Sequence, residues 1–323
     1  MRILIYSFND KIGDGLQKIT FIQSLKNIYP KSHITYTTSN TTTLKTILNP
    51  LIEDCIDEFI ENNHINSSFI NLLKKNPNFK EKRYELIIDL QKVVIRSIKL
   101  KQIHHEKFFS ASANFLFSDF KNEKALSFKN IYIEKLYFNI LSIISGFNFD
   151  KIPSIYIPKI ETTNKIINTP VDKNIAIAPG AGDIIRQWDF DKYINVAKKL
   201  RQKGYEVYFF LGPEERGMLK TCIENKFTCP EWKNGKKISN DILFTMNLAK
   251  KMKCLLCNDG GTSWMFEFAG IKTLKIFGVT NEKKFARPNF STTIQTKDYG
   301  FENLKDFPTK EYENILSEFL NKI

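Results

Sequence analysis

The sequence predicts an α/β protein of two domains, each a parallel sheet flanked by helices. Three observations carry this. Short runs of buried-strand character alternate with helical segments along the chain, the pattern of βαβ units. Several of those runs end in glycine-containing turns that open the next helix. The chain, at 323 residues, also exceeds the size at which a single core keeps growing. The expected domains are residues 1–165 and 166–323. Hydrophobic content of 42% and charged content of 26% are those of a soluble globular protein, and no stretch approaches the roughly 18 apolar residues that cross a bilayer.

The first βα unit is Arg2-Ile3-Leu4-Ile5-Tyr6-Ser7-Phe8, a loop over 9–15, and a helix from Leu16 to Tyr29. Leu16, Ile19, Ile22, Leu25 and Ile28 recur at helical spacing, and Pro30 closes the segment. The start Met1-Arg2-Ile3 has neither the apolar core nor the cleavage site of a signal peptide, so it reads as a first strand and the protein as cytoplasmic. The opening loop carries two carboxylates, Asp10 and Asp14, the second between Gly13 and Gly15. A second strand follows at 33–37, a short helix at 41–48, and a buried strand within 81–91. Residues 92–107 mix Lys92, Arg96, Lys99, Lys101 and Lys107 with Val93, Val94, Ile95 and Ile98. From 100 to 130, with the pair His104-His105 and an aromatic cluster, the weak periodicity predicts a loop packed onto the domain. A helix is expected over 130–145, and Pro153, Pro158 and Pro170 mark the linker.

The second half opens with the strand at 174–178 and the small-residue turn Pro179-Gly180-Ala181-Gly182, where a backbone can approach a ligand closely. Arg186 and Trp188 precede a helix over 190–203. The strand at 206–211 ends in Gly212-Pro213-Glu214-Glu215, and a helix over 242–252 leads to Cys254-Leu255-Leu256-Cys257. The next turn, Asn258-Asp259-Gly260-Gly261-Thr262, is either a capped αβ turn or an anion site, because a helix N-terminus presents unpaired N–H groups and the positive end of a dipole. A last strand at 272–277 leaves through Gly278. Ligands of open α/β sheets bind beyond the carboxyl ends of strands, where Asp14, Gly180, Glu215, Asp259 and Gly278 all fall.

The net charge of +13 is shared almost equally by the two halves, +7 over 1–165 and +6 over 166–323. A diffuse basic field favours anionic partners such as phosphorylated substrates or an anionic membrane surface. Nucleic acid is not expected, since no helix-turn-helix, zinc-finger or RNP pattern accompanies the charge. The odd count of five cysteines argues against a disulfide framework. Cys254 and Cys257 lie three apart in one strand, so they point to opposite faces and cannot readily share a metal.

The ordered set of motifs resembles glycosyltransferase family 9, the heptosyltransferases of lipopolysaccharide inner-core synthesis. It comprises Met1-Arg2-Ile3-Leu4 with Ile12-Gly13-Asp14; Tyr84 to Gln91 with Arg96-Ser97; Pro179-Gly180-Ala181 with Arg186 and Trp188; Gly212 to Glu215; Asn258 to Gly261; and Phe277-Gly278-Val279-Thr280. The resemblance implies a GT-B fold, two Rossmann-like domains with parallel sheets facing across a cleft. The N-terminal domain would bind the acceptor and the C-terminal domain the nucleotide-sugar, with the last helix packing back on the N-terminal domain. It further implies an inverting, metal-independent transfer with no cofactor. Asp14 would be the catalytic base. Gly180, Ala181, Arg186, Glu215, Asp259, Gly260, Gly261 and Thr262 would hold the donor, with Glu215 on the ribose hydroxyls, and Gly13, Gly15 and Arg96 the acceptor.

The implied donor is a nucleotide-diphosphate-sugar such as ADP-heptose, and the implied acceptor a lipopolysaccharide or other cell-envelope glycan, reached at the anionic cytoplasmic face of the inner membrane. Two departures bear on the donor. The family usually has Lys where this chain has Arg186, and often reads Asp-Ser/Thr-Gly-x-x-His, where Gly260 here takes the hydroxyl position and Trp264 the His position. A nucleotide-sugar 2-epimerase, or a non-catalytic protein of the same architecture that binds a glycan or nucleotide, are the competing readings.

Overall fold

A computed structural model of the chain describes residues 1–65 and 76–323, which form two compact units, Met1–Ile155 and Tyr156–Ile323. The division falls ten residues before the expected position 165, so the first two linker prolines straddle it and Pro158 belongs to the second unit.

Among the described residues the first unit holds five strands, β1 (Arg2–Ser7), β2 (His33–Thr38), β3 (Glu58–Ile60), β4 (Arg83–Asp89) and β5 (His104–Ser110), in the order β3-β2-β1-β4-β5. Every pair is parallel, with Leu4 beside Thr35 on one flank and Ile87 on the other. Parallel strands need crossovers, and a sheet covered on both faces needs apolar residues at successive positions. Ile3, Leu4, Ile5 and Tyr6 accordingly all have no exposed surface. Helices α1 (Ile12–Ile28) and α3 (Ile133–Ser145) pack on each other, whereas α2 (Val94–Lys101) packs by β4 and β5.

Three local readings change. Helix α1 begins four residues earlier than its apolar repeat, so Asp14 sits in the first helical turn rather than in a loop. The short helix expected at 41–48 is a pair of 3-10 turns, Thr43–Lys45 and Asn49–Leu51. The expected loop at 100–130 contains β5, whose first half is exposed and whose second half, Phe108-Phe109-Ser110, is buried. An edge strand with one polar end lacks the uniform apolar signal of β1 or β4.

The second unit repeats the plan with β6 (Asn174–Ala178), β7 (Glu206–Phe209), β10 (Cys254–Asn258), β11 (Lys272–Phe277) and β12 (Ser291–Gln295) in the all-parallel order β12-β11-β10-β6-β7. A hairpin, β8 (Trp232–Lys233) and β9 (Lys236–Lys237), is inserted between β7 and β10. Its helices are α4 (Phe190–Gln202), α5 (Leu219–Glu224), α6 (Ile242–Ala249), α7 (Gly261–Phe268), α8 (Glu282–Phe285) and α9 (Thr309–Lys322). One face of the sheet packs Ile175, Ile177, Cys254 and Leu256 against α4 and α9; the other packs Ala176, Ala178, Leu255 and Cys257 against α6 and Phe266 of α7. The two cysteines thus lie on opposite faces, as strand geometry requires. The last helix contributes Tyr312, Leu316 and Phe319 to the second unit's own core. No helix among the described residues is long and apolar enough to cross a membrane.

Candidate functional site

The carboxyl edge of the first sheet carries three aspartates in different settings. Asp14 is exposed on the first turn of α1, whose N-cap residue, Lys11, provides no side-chain hydrogen bond. Gly13 is half-buried beside it. Gly15 is buried, and a Cβ there would run into the side chains of Leu48 and Thr43, so packing by itself requires a glycine at this position.

Four residues before Asp14, Asp10 is 2% exposed and accepts hydrogen bonds from Ser7 Oγ (2.8 Å), Lys18 Nζ (2.7 Å), Tyr36 OH (2.8 Å) and Thr42 Oγ1 (2.9 Å). Burial alone would raise its pKa, but the Lys18 ammonium and the hydrogen bonds outweigh burial and hold it below the usual carboxylate range.

Asp89, at the end of β4, is 1% exposed and accepts from Ser97 Oγ (2.6 Å), Ser110 Oγ (3.0 Å) and the Gln91 N–H (2.8 Å). Burial, only partly offset by these donors and by the charge of Arg96, pushes it up to about 6. Arg96, on α2, lies with its guanidinium 3.7 Å from the centre of the Phe8 ring, and its buried Nε has no hydrogen-bond partner among the described residues. Its cation therefore rests on Phe8, in the loop between β1 and α1. His104 is exposed, and the ring of His105 bonds the Ile103 carbonyl, so the pair forms part of strand β5.

The carboxyl edge of the second sheet gathers most of the expected donor residues. Asn258, 1% exposed, ties the two glycine turns: its Oδ1 accepts from the Trp188 N–H (3.1 Å) and Tyr193 OH (3.0 Å), and its Nδ2 donates to the Pro179 carbonyl. A Cβ on Gly260 would meet the Gly180 carbonyl at 3.1 Å and Ala181 Cα at 3.3 Å, so the turns after β6 and β10 touch through backbone. Gly261 and the half-buried Thr262 open α7, and Ser263 Oγ bonds the Gly260 carbonyl at 2.7 Å. The Glu215 carboxylate occupies space that a Cβ on either Gly180 or Gly212 would need. Burial, reinforced by the Glu214 charge, raises its pKa.

Arg186 ends a 3-10 turn, Ile184–Arg186, that is capped by the Asp183 side chain, and among the described residues no carboxylate pairs with it. Asp259 is 5% exposed; burial raises its pKa against the opposing charges of Lys275 and Arg186. Lys275 was not anticipated. It sits within an apolar strand, has no exposed surface, and pairs with the equally buried Glu267 at 3.0 Å. Its ammonium lies 5.0 Å from the centre of the Trp264 ring. Trp264 itself is 2% exposed and tilts against Phe268, so it fills the core beneath the turn. The one hint in the sequence was a lysine in a run whose neighbours are all apolar or Thr.

The structure thus assembles Gly180, Ala181, Arg186, Glu215, Asp259, Gly260, Gly261 and Thr262 at one edge of the second unit, and Gly13, Asp14 and Arg96 at the corresponding edge of the first. Chemically, the second-unit edge offers backbone N–H groups, a helix N-terminus and a free guanidinium to an anion, with a carboxylate able to accept from hydroxyls. Among the described residues no group of three or more His, Cys, Asp or Glu side chains could hold a metal ion.

Residues 73–316 match the family model described as glycosyltransferase family 9 (heptosyltransferase). The fold is similar to a family 9 glycosyl transferase from Veillonella parvula (19% identity, TM-score 0.66, covering 100% of this chain and 97% of that one). It is also similar to the E. coli heptosyltransferase WaaC with ADP (14%, 0.65, 100% and 99%) and to the E. coli ADP-heptose lps heptosyltransferase II (15%, 0.63, 100% and 99%). No curated protein matches the sequence.

Proposed function

Because the chain belongs to glycosyltransferase family 9 and has the GT-B fold of heptosyltransferases, we propose that it transfers a sugar, with inversion and without a metal, from a nucleoside-diphosphate carrier to a glycan of the cell envelope. Heptose on ADP is the leading donor, and lipopolysaccharide or another lipid-linked glycan the leading acceptor, with the reaction run at the cytoplasmic face of an anionic membrane. In this reading Asp14 takes the proton of an acceptor hydroxyl as the oxygen attacks the anomeric carbon and the bond to the diphosphate breaks. Exposure suits Asp14 to the task, whereas Asp10 and Asp89 have their lone pairs engaged in the interior.

Negative charge builds on the departing diphosphate. Arg186, the N–H groups at Gly180-Ala181 and those of Gly260, Gly261 and Thr262 stabilise it, because donors fixed in advance need no reorganisation as charge develops. Glu215 accepts from the ribose hydroxyls, and Arg96 and Gly13 face the acceptor. The observation that carries the reading is the contact of the Gly180 and Gly260 turns, with the Glu215 carboxylate in the gap left by Gly180.

The test is a thermal-shift panel of nucleotide-sugars and nucleoside diphosphates on the wild type and on Arg186→Ala, since a native-state ligand stabilises by mass action. ADP-heptose and ADP should raise the Tm, and Arg186→Ala should lose more of the ADP effect than of the adenosine effect. Equal losses would remove Arg186 from the phosphates. Product analysis follows: a new glycosidic bond supports transfer, and a C2 epimer of the donor overturns it.

A further inference from the structure

We propose that the buried ion pair Asp10–Lys18 is a positioning device for Asp14, holding the first turn of α1 so that the exposed carboxylate meets the acceptor hydroxyl; the proposal rests on Asp14 being the base.

The two residues bracket Asp14, four positions before and four after. Lys18 Nζ reaches both, 2.7 Å from Asp10 Oδ1 and 2.9 Å from the backbone carbonyl of Asp14. Lys18 is 3% exposed, with the ring of Tyr137, on α3, 5.7 Å from its ammonium. Burial alone would lower its pKa, but the charge of Asp10 outweighs burial and raises it, so it stays an ammonium.

Asp10 in turn is fastened to three other parts of the unit: Ser7 at the end of β1, Tyr36 on β2 and Thr42 before the first 3-10 turn. Its backbone is fixed too, with its N–H on the Thr41 carbonyl (3.2 Å) and its carbonyl accepting from the Thr43 N–H (3.0 Å). One carboxylate therefore registers the helix start against the sheet, and one ammonium passes that registration to the Asp14 backbone.

A helix normally gains its N-terminal definition from a capping side chain. Here Lys11 supplies none, and the definition comes from within the fold. Two buried charges are a poor way to gain stability, because desolvation consumes most of their attraction. Geometry is what such a pair supplies. Asp10 is itself excluded as the base: its two oxygens accept four hydrogen bonds and it has almost no exposed surface. Lys18 is likewise buried, with its ammonium taken up by Asp10 and the Asp14 carbonyl, so both are positioning residues.

The experiment measures transfer by ADP release from ADP-heptose, or from the donor selected by the panel, with a lipopolysaccharide-type acceptor. The main variant is the double substitution Asp10→Asn with Lys18→Met, which removes both charges and leaves neither buried alone. Expected are a Tm near that of the wild type, unchanged protection by ADP, a donor KM within about twofold, and a kcat lower by about 10- to 100-fold, the usual penalty for a reacting group misplaced by about an ångström. Amide exchange at residues 13–16 should accelerate.

Wild-type kcat in that variant overturns the proposal. So does a loss of kcat fully matched by lost Tm or lost ADP protection, which would make the pair a structural staple only. Should the double variant fail to fold, Tyr36→Phe with Thr42→Val removes two of the four donors to Asp10 and leaves both charges. A several-fold fall in kcat at unchanged donor KM is then expected, and wild-type kcat overturns the idea. Asp14→Asn separates the two readings: an active Asp14→Asn enzyme sinks the base assignment, whereas an inactive one beside a fully active double variant sinks the positioning role alone.

Discussion

Asp10, Asp14 and Asp89 share one sheet edge, and their surroundings give them opposite pH behaviour. Asp10 is held below the usual range by Lys18, so its contribution to stability is present above the unfolded-state value near 4 and is lost as pH falls through the folded value. Asp89 is raised to about 6, so its contribution is full below the unfolded value and is lost as pH rises through about 6. We expect Asp89→Asn to flatten the stability profile between pH 4 and 7 by about 2–3 kcal/mol, the worth of a two-unit shift in a buried group. Urea unfolding across that range would show it, and an unchanged slope would mean that Asp89 is ionised throughout. Asp14→Asn should lower kcat by about 10²- to 10⁴-fold with donor binding intact, the usual worth of general-base catalysis; near-normal turnover would refute the assignment. Of the three, Asp14 was legible because it stands between glycines in a recognisable βα opening. The settings of Asp10 and Asp89 were not, because they depend on Tyr36, Thr42 and Ser110, partners brought in by tertiary folding from 21 to 32 positions away.

At the level of elements, the strands read from sequence are the interior ones, β1, β2, β4, β6, β10 and β11, and one edge strand, β7, whose last three residues are all buried. Those that escaped, β3, β5 and β12, are the other edge strands, where polar residues are tolerated. The turn after β10 was legible as a glycine turn that opens a helix, but its support was not. Lys275 in β11 and Trp264 in α7 form a buried cation–aromatic contact beneath Asp259, between residues that belong to different elements. The turn after β6 depends on glycine in a way that can be measured. In Gly180→Ala the new Cβ meets the carboxylate of Glu215, a flexible group that can swing away. Stability should therefore change little, while nucleoside affinity falls by about tenfold, equivalent to about 1.4 kcal/mol. Gly217→Ala, in the connection after β7 that carries Glu215 but with open space around its Cβ, is the control. Equal affinities in the two variants would show that Glu215 does not hold the nucleoside.

For the whole molecule, the prediction concerns the membrane. A lipid-linked acceptor would bring the enzyme to an anionic surface, and the described residues contain no helix able to cross it, so attachment would rest on the net charge of +13. The basic stretch at 92–107 is thinner in three dimensions than in sequence. Arg96 lies against Phe8 and Lys99 is half-buried, leaving Lys92, Lys101 and Lys107 exposed. The apolar partners also differ: Val93, Ile95 and Ile98 are half-buried, whereas the first unit exposes Leu116 (74%) and Phe147 (58%). Each basic residue near such a surface contributes about 1 kcal/mol, and exposed charges are screened beyond about 8 Å at physiological ionic strength. Binding should therefore be reversible, favour anionic over neutral vesicles, weaken as salt rises, and fall further in Leu116→Ser with Phe147→Ser. Co-sedimentation at low and high salt measures all four. Binding indifferent to lipid charge and salt, or no binding, would assign the basic excess to soluble anionic substrates and the acceptor to solution.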